Sequence, residues 1–296
     1  MSFQAIGNFF PCFFHYAASR NHVLLRLLQF LFPNSSPAIP SIHLKAFGRE
    51  IVHVKWPLVA IVSSMTGTLC FIAGKQSFSH PKKGSFLMAN ALLWYCLMCL
   101  GGFFHHSFFN KRNIFYCFDV FGTCCSSVSL IAAILGVDDR ISSNRRNFIV
   151  FYAMATIFVI FGPQWAREAL YLLPTTVALC VGSWYLAVVI EALRLDDDRR
   201  KKREKVGDGE KNTKEMKREE KLIDDLKKWV LIMGFGGVIS VVGLVFNRWI
   251  MGFMGPHAGV LLWFFVGCGI ALLGSSRVFH ILNNADFALF CFDVLD

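Results

Sequence analysis

Long apolar runs separated by short polar breaks dominate the chain. The runs cover about 56–75, 85–109, 114–136, 147–163, 170–193, 229–246 and 256–274. Apolar residues fill each run as a block and do not recur on one face only, so each predicts a helix with little polar surface. Helices of roughly 17–25 such residues match a hydrocarbon core about 30 Å thick. The pattern therefore predicts an all-α, polytopic membrane protein with seven transmembrane helices. Helices 1–5 fall in 56–193, a charged cytosolic loop in 194–228, helices 6 and 7 in 229–274, and a C-terminal tail in 275–296.

Residues 1–55 do not fit the block pattern. Phe9 to Phe14 and the leucine-rich stretch after His22 are short and are interrupted by Arg20 and Arg26. They read as an interfacial or partly disordered segment, with residues 9–32 as an alternative extra span. As a signal peptide this start is poorly formed, because charge follows the first apolar patch instead of preceding it. Small residues inside the runs, Ser63-xxx-Gly67 and Gly236-xxx-Ser240, predict close helix packing.

Composition agrees with the pattern. Of 296 residues 55% are hydrophobic and 17% charged, with 31 phenylalanines and a mean hydropathy of +0.49. A soluble domain of this length needs more charge to cover its surface. The net charge of +10 then speaks to orientation and anionic headgroups, not nucleic acid, for which no motif is present. Basic residues concentrate in the 1–2, 3–4 and 5–6 loops, which places the C-terminus in the cytosol; Arg20, Arg26, Lys45, Arg49 and Lys55 dissent. The 194–228 segment holds 14 Lys/Arg against 11 Asp/Glu. It reads first as a solvated loop or helical extension, with anionic headgroups or a protein partner as the alternative contact. The chain has ten cysteines, eight of them inside the runs. Cys96-x-x-Cys99 lacks a second pair to complete a metal site, so these thiols read as small apolar side chains.

Against this background a few polar residues stand out. His105 and His106 end the second run, Asp119 sits early in the third, and His257 opens the seventh. At ~1.5 Å per residue, His106 and Asp119 lie only ~5–8 Å in from their helix ends. Topology brings all four to one depth on the side opposite the basic loops. Ionisable groups are costly in hydrocarbon. Two or three imidazoles with a carboxylate suit zinc and a bound water, with His105, His106 and His257 as ligands and Asp119 as orienter or base. The alternative is interfacial histidines that need no metal, with Asp119 paired to Lys111, Arg112 or Ser107. As neighbours ~100° apart on a helix, His105 and His106 are expected to present only one ring inward.

The sequence Phe103-Phe104-His105-His106, followed by Phe118-Asp119-Val120-Phe121-Gly122 and later by His257-Ala258, resembles the motifs of a heptahelical membrane hydrolase superfamily. That superfamily groups alkaline ceramidases, adiponectin/progestin-type receptors and GPI-lipid-remodelling factors. The resemblance implies a zinc-dependent amidase or esterase acting on a membrane lipid. Two departures point to the alternative, a non-catalytic receptor or lipid-binding protein that has lost the metal site. The family serine falls on Gly101 or Gly102, and the second histidine of the seventh-helix pair falls on Leu261. The expected setting is an integral membrane, with endoplasmic reticulum, Golgi and plasma membrane equally open.

Overall fold

The computed structural model describes residues 41–46, 49–55, 57–79, 82–108, 114–206, 213–245 and 261–284. A hairpin of β1 (Ser41–Ala46) and β2 (Arg49–Lys55) comes first. It is followed by α1 (Pro57–Phe78), α2 (Ser85–Ser107), α3 (Ile114–Ile134), α4 (Ser142–Phe161), α5 (Gln164–Val206) and α6 (Thr213–Val245). A π-helical segment, Leu261–Cys268, leads into α7 (Gly269–Asn284). The helical reading holds for the bundle. Five of the described helices are long and apolar enough to cross a membrane: α2, α3, α5, α6, and α7 taken with the end of the π-helical segment before it, Phe265–Asn283.

The hairpin was not expected within 1–55. Its strands pair antiparallel from Ser41 opposite Lys55 to Ala46 opposite Arg49, with a register shift between Leu44 and Lys45. The alternation Ile42-x-Leu44-x-Ala46 and Val52-x-Val54 is the strand period, hidden in a segment scanned for helical blocks. Residues 9–32 lie outside the described residues.

Helix α2 is the core. Leu87, Met88, Leu92 and Met98 are fully enclosed, between α1 on one side and α3 on the other. Glycines set the α2–α3 distance. A Cβ on Gly101 would meet Asp119 N at 2.6 Å, and one on Gly122 would meet Met98 N at 2.6 Å. The two expected small-residue faces are both used. Gly67 of α1 lies against Cys99, and beside it Ser63 is fully buried. Gly236 lies against Ala271, and Ser240 against Gly267. Close backbone approach of this kind is how helices associate where lipid offers no hydrophobic drive between them.

The outer helices show apolar stripes. Met65 on α1, Phe161 on α4, Trp165 and Leu173 on α5, and Leu231, Phe235 and Val238 on α6 are all more than 60% exposed. In water such a surface would be an association liability; against lipid tails it is matched.

Helix directions follow from contacts along the bundle. Tyr152 Oη lies 2.8 Å from Ser129 Oγ, while the Cys117 thiol reaches the Val159 carbonyl at 3.9 Å, so α4 runs antiparallel to α3. The connection from α3 to α4 is built by its own polar groups. Gly136, at φ +71°, ends α3 in the left-handed conformation, with Val137 N donating to Ala132 O and Gly136 N to Ala133 O. Asp139, 2% exposed, then accepts from the backbone N–H groups of Gly84, Phe86 and Leu87, at 3.0, 2.9 and 3.2 Å. Those are the orphan donors of the first turn of α2, so the 3–4 loop caps the central helix. Next to it Arg140 chelates Asp138 with two 3.0 Å bonds, and this pairing holds the Asp138 carboxyl down at about 2.

The charged segment is helical at both ends. α5 continues through Val206 and α6 begins at Thr213. Ile223, Leu226 and Val230 of α6 pack with Val189 and Leu193 of α5 and Val278 of α7, and Lys227 pairs with Asp197 at 3.0 Å. Helix α7 also runs ten residues beyond Gly274. Ser275, Arg277 and His280 are therefore helical, not tail.

Candidate functional site

The site lies at the end of the bundle away from the capped loop. The last turn of α2 carries His105 and His106, α3 brings Asp119 one and a half turns from its start, and α5 supplies Tyr171. These residues, with Tyr116, Val120 and Leu172, line a cavity of about 340 Å³. Asp119 is 8% exposed. His106 Nε2 stands 3.9 Å from Asp119 Oδ2, an ion-pair distance too long for a direct hydrogen bond.

Both histidines face this cavity, which corrects the expectation that only one would. The His105 ring meets Tyr116 of α3 at 5.5 Å, while His106 turns to Asp119 and to Phe265 at 6.4 Å. The rings of the pair are 4.9 Å apart. His105 Nδ1 is buried with no hydrogen bond among the described residues. Ser107 is fully buried, and its hydroxyl likewise bonds to nothing among the described residues, so it does not partner Asp119. Lys111, Arg112 and His257 lie outside the described residues. His280 sits at the opposite end, 2.7 Å from Ser77 Oγ, and does not join this site.

Ligands sharing a tetrahedral zinc at ~2.1 Å stand roughly 3.4 Å apart. His106 and Asp119 come within half an ångström of that separation. Among the described residues, however, no group of three or more His, Cys, Asp or Glu side chains is placed to hold a metal ion. The described donors do not by themselves make a zinc site.

The two glycines before the histidine pair are structural. Gly101 is pressed against the backbone of α3, and a Cβ on Gly102 would meet Phe265 Cζ at 2.5 Å. A serine fits at neither position without moving α3 or the enclosed Phe265 ring. Phe265 belongs to the π-helical segment, and its carbonyl accepts from Thr66 Oγ1 at 3.0 Å. Such segments recur at functional sites.

A second, apolar cavity continues the first. It occupies about 330 Å³ between α3, α5, α6 and α7, with Thr123 and Thr175 among its lining residues. Thr123 is one turn beyond Asp119 and donates to its carbonyl; Thr175 is one turn beyond Tyr171 and donates to that one. The two cavities thus succeed each other along a single α3–α5 crevice. The lower wall includes the exposed residues Val238, Val241 and Val242 of α6, so it opens sideways toward the bilayer. Sequence reasoning missed Tyr171, Thr175 and this cavity; interior hydroxyls on successive turns were the available signal.

No family model, curated protein or solved structure matches this chain. The heptahelical resemblance therefore rests on its own short motifs.

Proposed function

We propose that the protein is a seven-span, lipid-binding membrane protein without the family's hydrolytic chemistry. The observation that carries this reading is the pair of cavities stacked in one crevice. The apolar one is wide enough for an acyl chain and open to the bilayer, and the polar one is placed to meet the linkage of that chain to its headgroup. Tyr116, His105 and Asp119 offer donors and acceptors for a carbonyl or hydroxyl there. Glycine in place of the serine, backed by helix packing, favours binding over catalysis.

Seven spans are five plus α1 and α4. α1 is 22 residues long, ~33 Å. α4 has only 14 residues from Phe148 to Phe161 after its polar start. Yet α3 and α5 both begin at the His–Asp end, so α4 must carry the chain from one end of the bundle to the other. The end bearing Lys82, Lys83, Arg140, Arg145 and Arg146 faces the cytosol in this reading.

The test fills the crevice. A Cβ on Gly182 or Gly237 meets nothing within 4 Å, so Gly182→Phe and Gly237→Phe should fold normally and occupy the apolar cavity. Wild-type protein purified in mild detergent should retain an acyl lipid by mass spectrometry, and both variants should lose most of it. Equal retention in folded variants refutes the reading.

A second reading, favoured by the convergence of His105, His106 and Asp119 on one cavity, is zinc-dependent lipid hydrolysis with His257 as a further ligand. It requires near-stoichiometric zinc in purified protein, lost in His257→Ala. Metal-free, folded protein rules it out.

A further inference from the structure

A second polar cavity lies at the opposite end of the bundle, between the last turn of α1 and the later half of α7. It measures about 420 Å³ and is lined by Gln76, Ser77 and Ser79 on one side and by Ser276, Arg277 and His280 on the other. No aspartate or glutamate lines it. The Ser77 hydroxyl donates to Ala73 O at 3.0 Å, so its lone pair accepts from His280 Nε2 at 2.7 Å. That makes Nε2 the protonated nitrogen, with its proton held by Ser77.

Arg277 is the dominant charge. Its Nη2 donates to Gln76 Oε1 at 3.1 Å, and its guanidinium lies 5.8 Å from the Trp229 ring centroid. Among the described residues no carboxylate pairs with it. A guanidinium carries five donors in a planar fork, so most of this one remains available to an oxyanion. Gln76 and Trp229 hold the fork in place, which lowers the ordering cost of binding. Lys82 donates to the Asn283 carbonyl one turn beyond His280 and adds a second cation at the rim.

The setting gives the ligand class. These residues lie where α1 and α7 leave their apolar stretches, at the same end as Lys83, Arg140 and Arg145. A phosphodiester in a membrane leaflet sits at this level, and basic clusters there attract anionic lipid. We propose that this α1–α7 cavity is a phosphate-binding site, with Arg277 as the bidentate anchor and Lys82 at its rim as the second cation. The site is independent of the lipid crevice, which opens nearer the other end.

The experiment uses the full-length protein and reads thermal stability and retained phospholipid. Reconstitution into phosphatidylcholine doped with phosphatidylserine should raise the melting temperature over phosphatidylcholine alone. Native mass spectrometry should then show phosphatidylserine adducts. Arg277→Gln should cut those adducts about tenfold, and Arg277→Lys should restore part of them, since charge returns without the fork. Ser79→Glu places a carboxylate at an exposed position on the mouth and should do the same as Arg277→Gln, which settles the matter if the latter fails to fold. Protection by inorganic phosphate in neutral lipid assigns the site to a free anion; protection by phosphatidylserine alone assigns it to a headgroup. Absence of both, or unchanged adducts in folded Arg277→Gln or Ser79→Glu, overturns the proposal. Gly237→Phe should keep the phosphatidylserine adducts, which separates failure here from failure of the crevice reading.

Discussion

A serine placed at Gly101 is the sharpest test of how the site is built. A Cβ there would lie 2.6 Å from Asp119 N and 2.7 Å from Phe115 O, both backbone atoms. Ordinary contacts begin near 3.4 Å, so α3 must retreat from α2 by roughly 0.8 Å. A side chain tip could turn away; a helix backbone cannot. The same interface is at contact limit one turn and more away, where Gly122 faces Met98 N and Trp94 O at 2.6 Å. The displacement is therefore felt along the whole pair. Overpacking costs ~1–3 kcal/mol, and this backbone clash belongs at the upper end, about 3 kcal/mol. For a chain of this size that lowers an apparent melting temperature by roughly 6–12 °C. The assay is intrinsic-fluorescence melting in mild detergent, where Trp94, packed edge-on to Phe121 at 5.1 Å, sits on the interface. Gly182→Ser is the control, because its Cβ meets nothing within 4 Å; it should melt within about 1 °C of wild type. If Gly101→Ser melts alongside that control, the close α2–α3 packing described above is wrong.

Other outcomes follow from particular contacts. Asp139→Ala removes three hydrogen bonds to the α2 N-terminus and should cost about 2–4 kcal/mol in denaturant-dependent unfolding; Asp139→Asn should cost less, since one acceptor oxygen survives. An Asp139→Ala protein as stable as wild type would remove the capping role. Gly236→Val drives a side chain into the α7 backbone, where even a Cβ meets Ala271 N at 2.4 Å, and should destabilise by about 3 kcal/mol, read by the same melting assay. The Asp138 carboxyl, held by Arg140 at about 2, should titrate well below the ordinary value near 3.9 when followed by carboxyl carbon shifts. Being depressed, its contribution is complete above the unfolded pKa and is lost as pH falls toward 2; a midpoint near 3.9 would show that the pair does not form.

The apolar blocks were sufficient to show that helices form, because a chain segment in lipid must satisfy its own backbone and only a helix does so within one segment. They did not show where α5, α6 and α7 begin or end. Small residues at four-residue spacing were likewise legible, and Gly236 with Ser240 packs as that spacing requires. Asp119 and the two histidines were legible as costly groups at one depth. What remained hidden depended on partners distant in sequence. That Gly101 is a packing surface depended on α3 lying against it. The direction of both histidine rings depended on Tyr116 and Phe265. The cap supplied by Asp139 to α2, and the polar cavity between Gln76 and Arg277, join residues some 50 and 200 positions apart. The sequence by itself determined which segments are apolar enough to form membrane-length helices and which polar residues are out of place in them. Tertiary structure decided what those residues meet, because hydropathy acts on each segment alone whereas packing and hydrogen bonding need two.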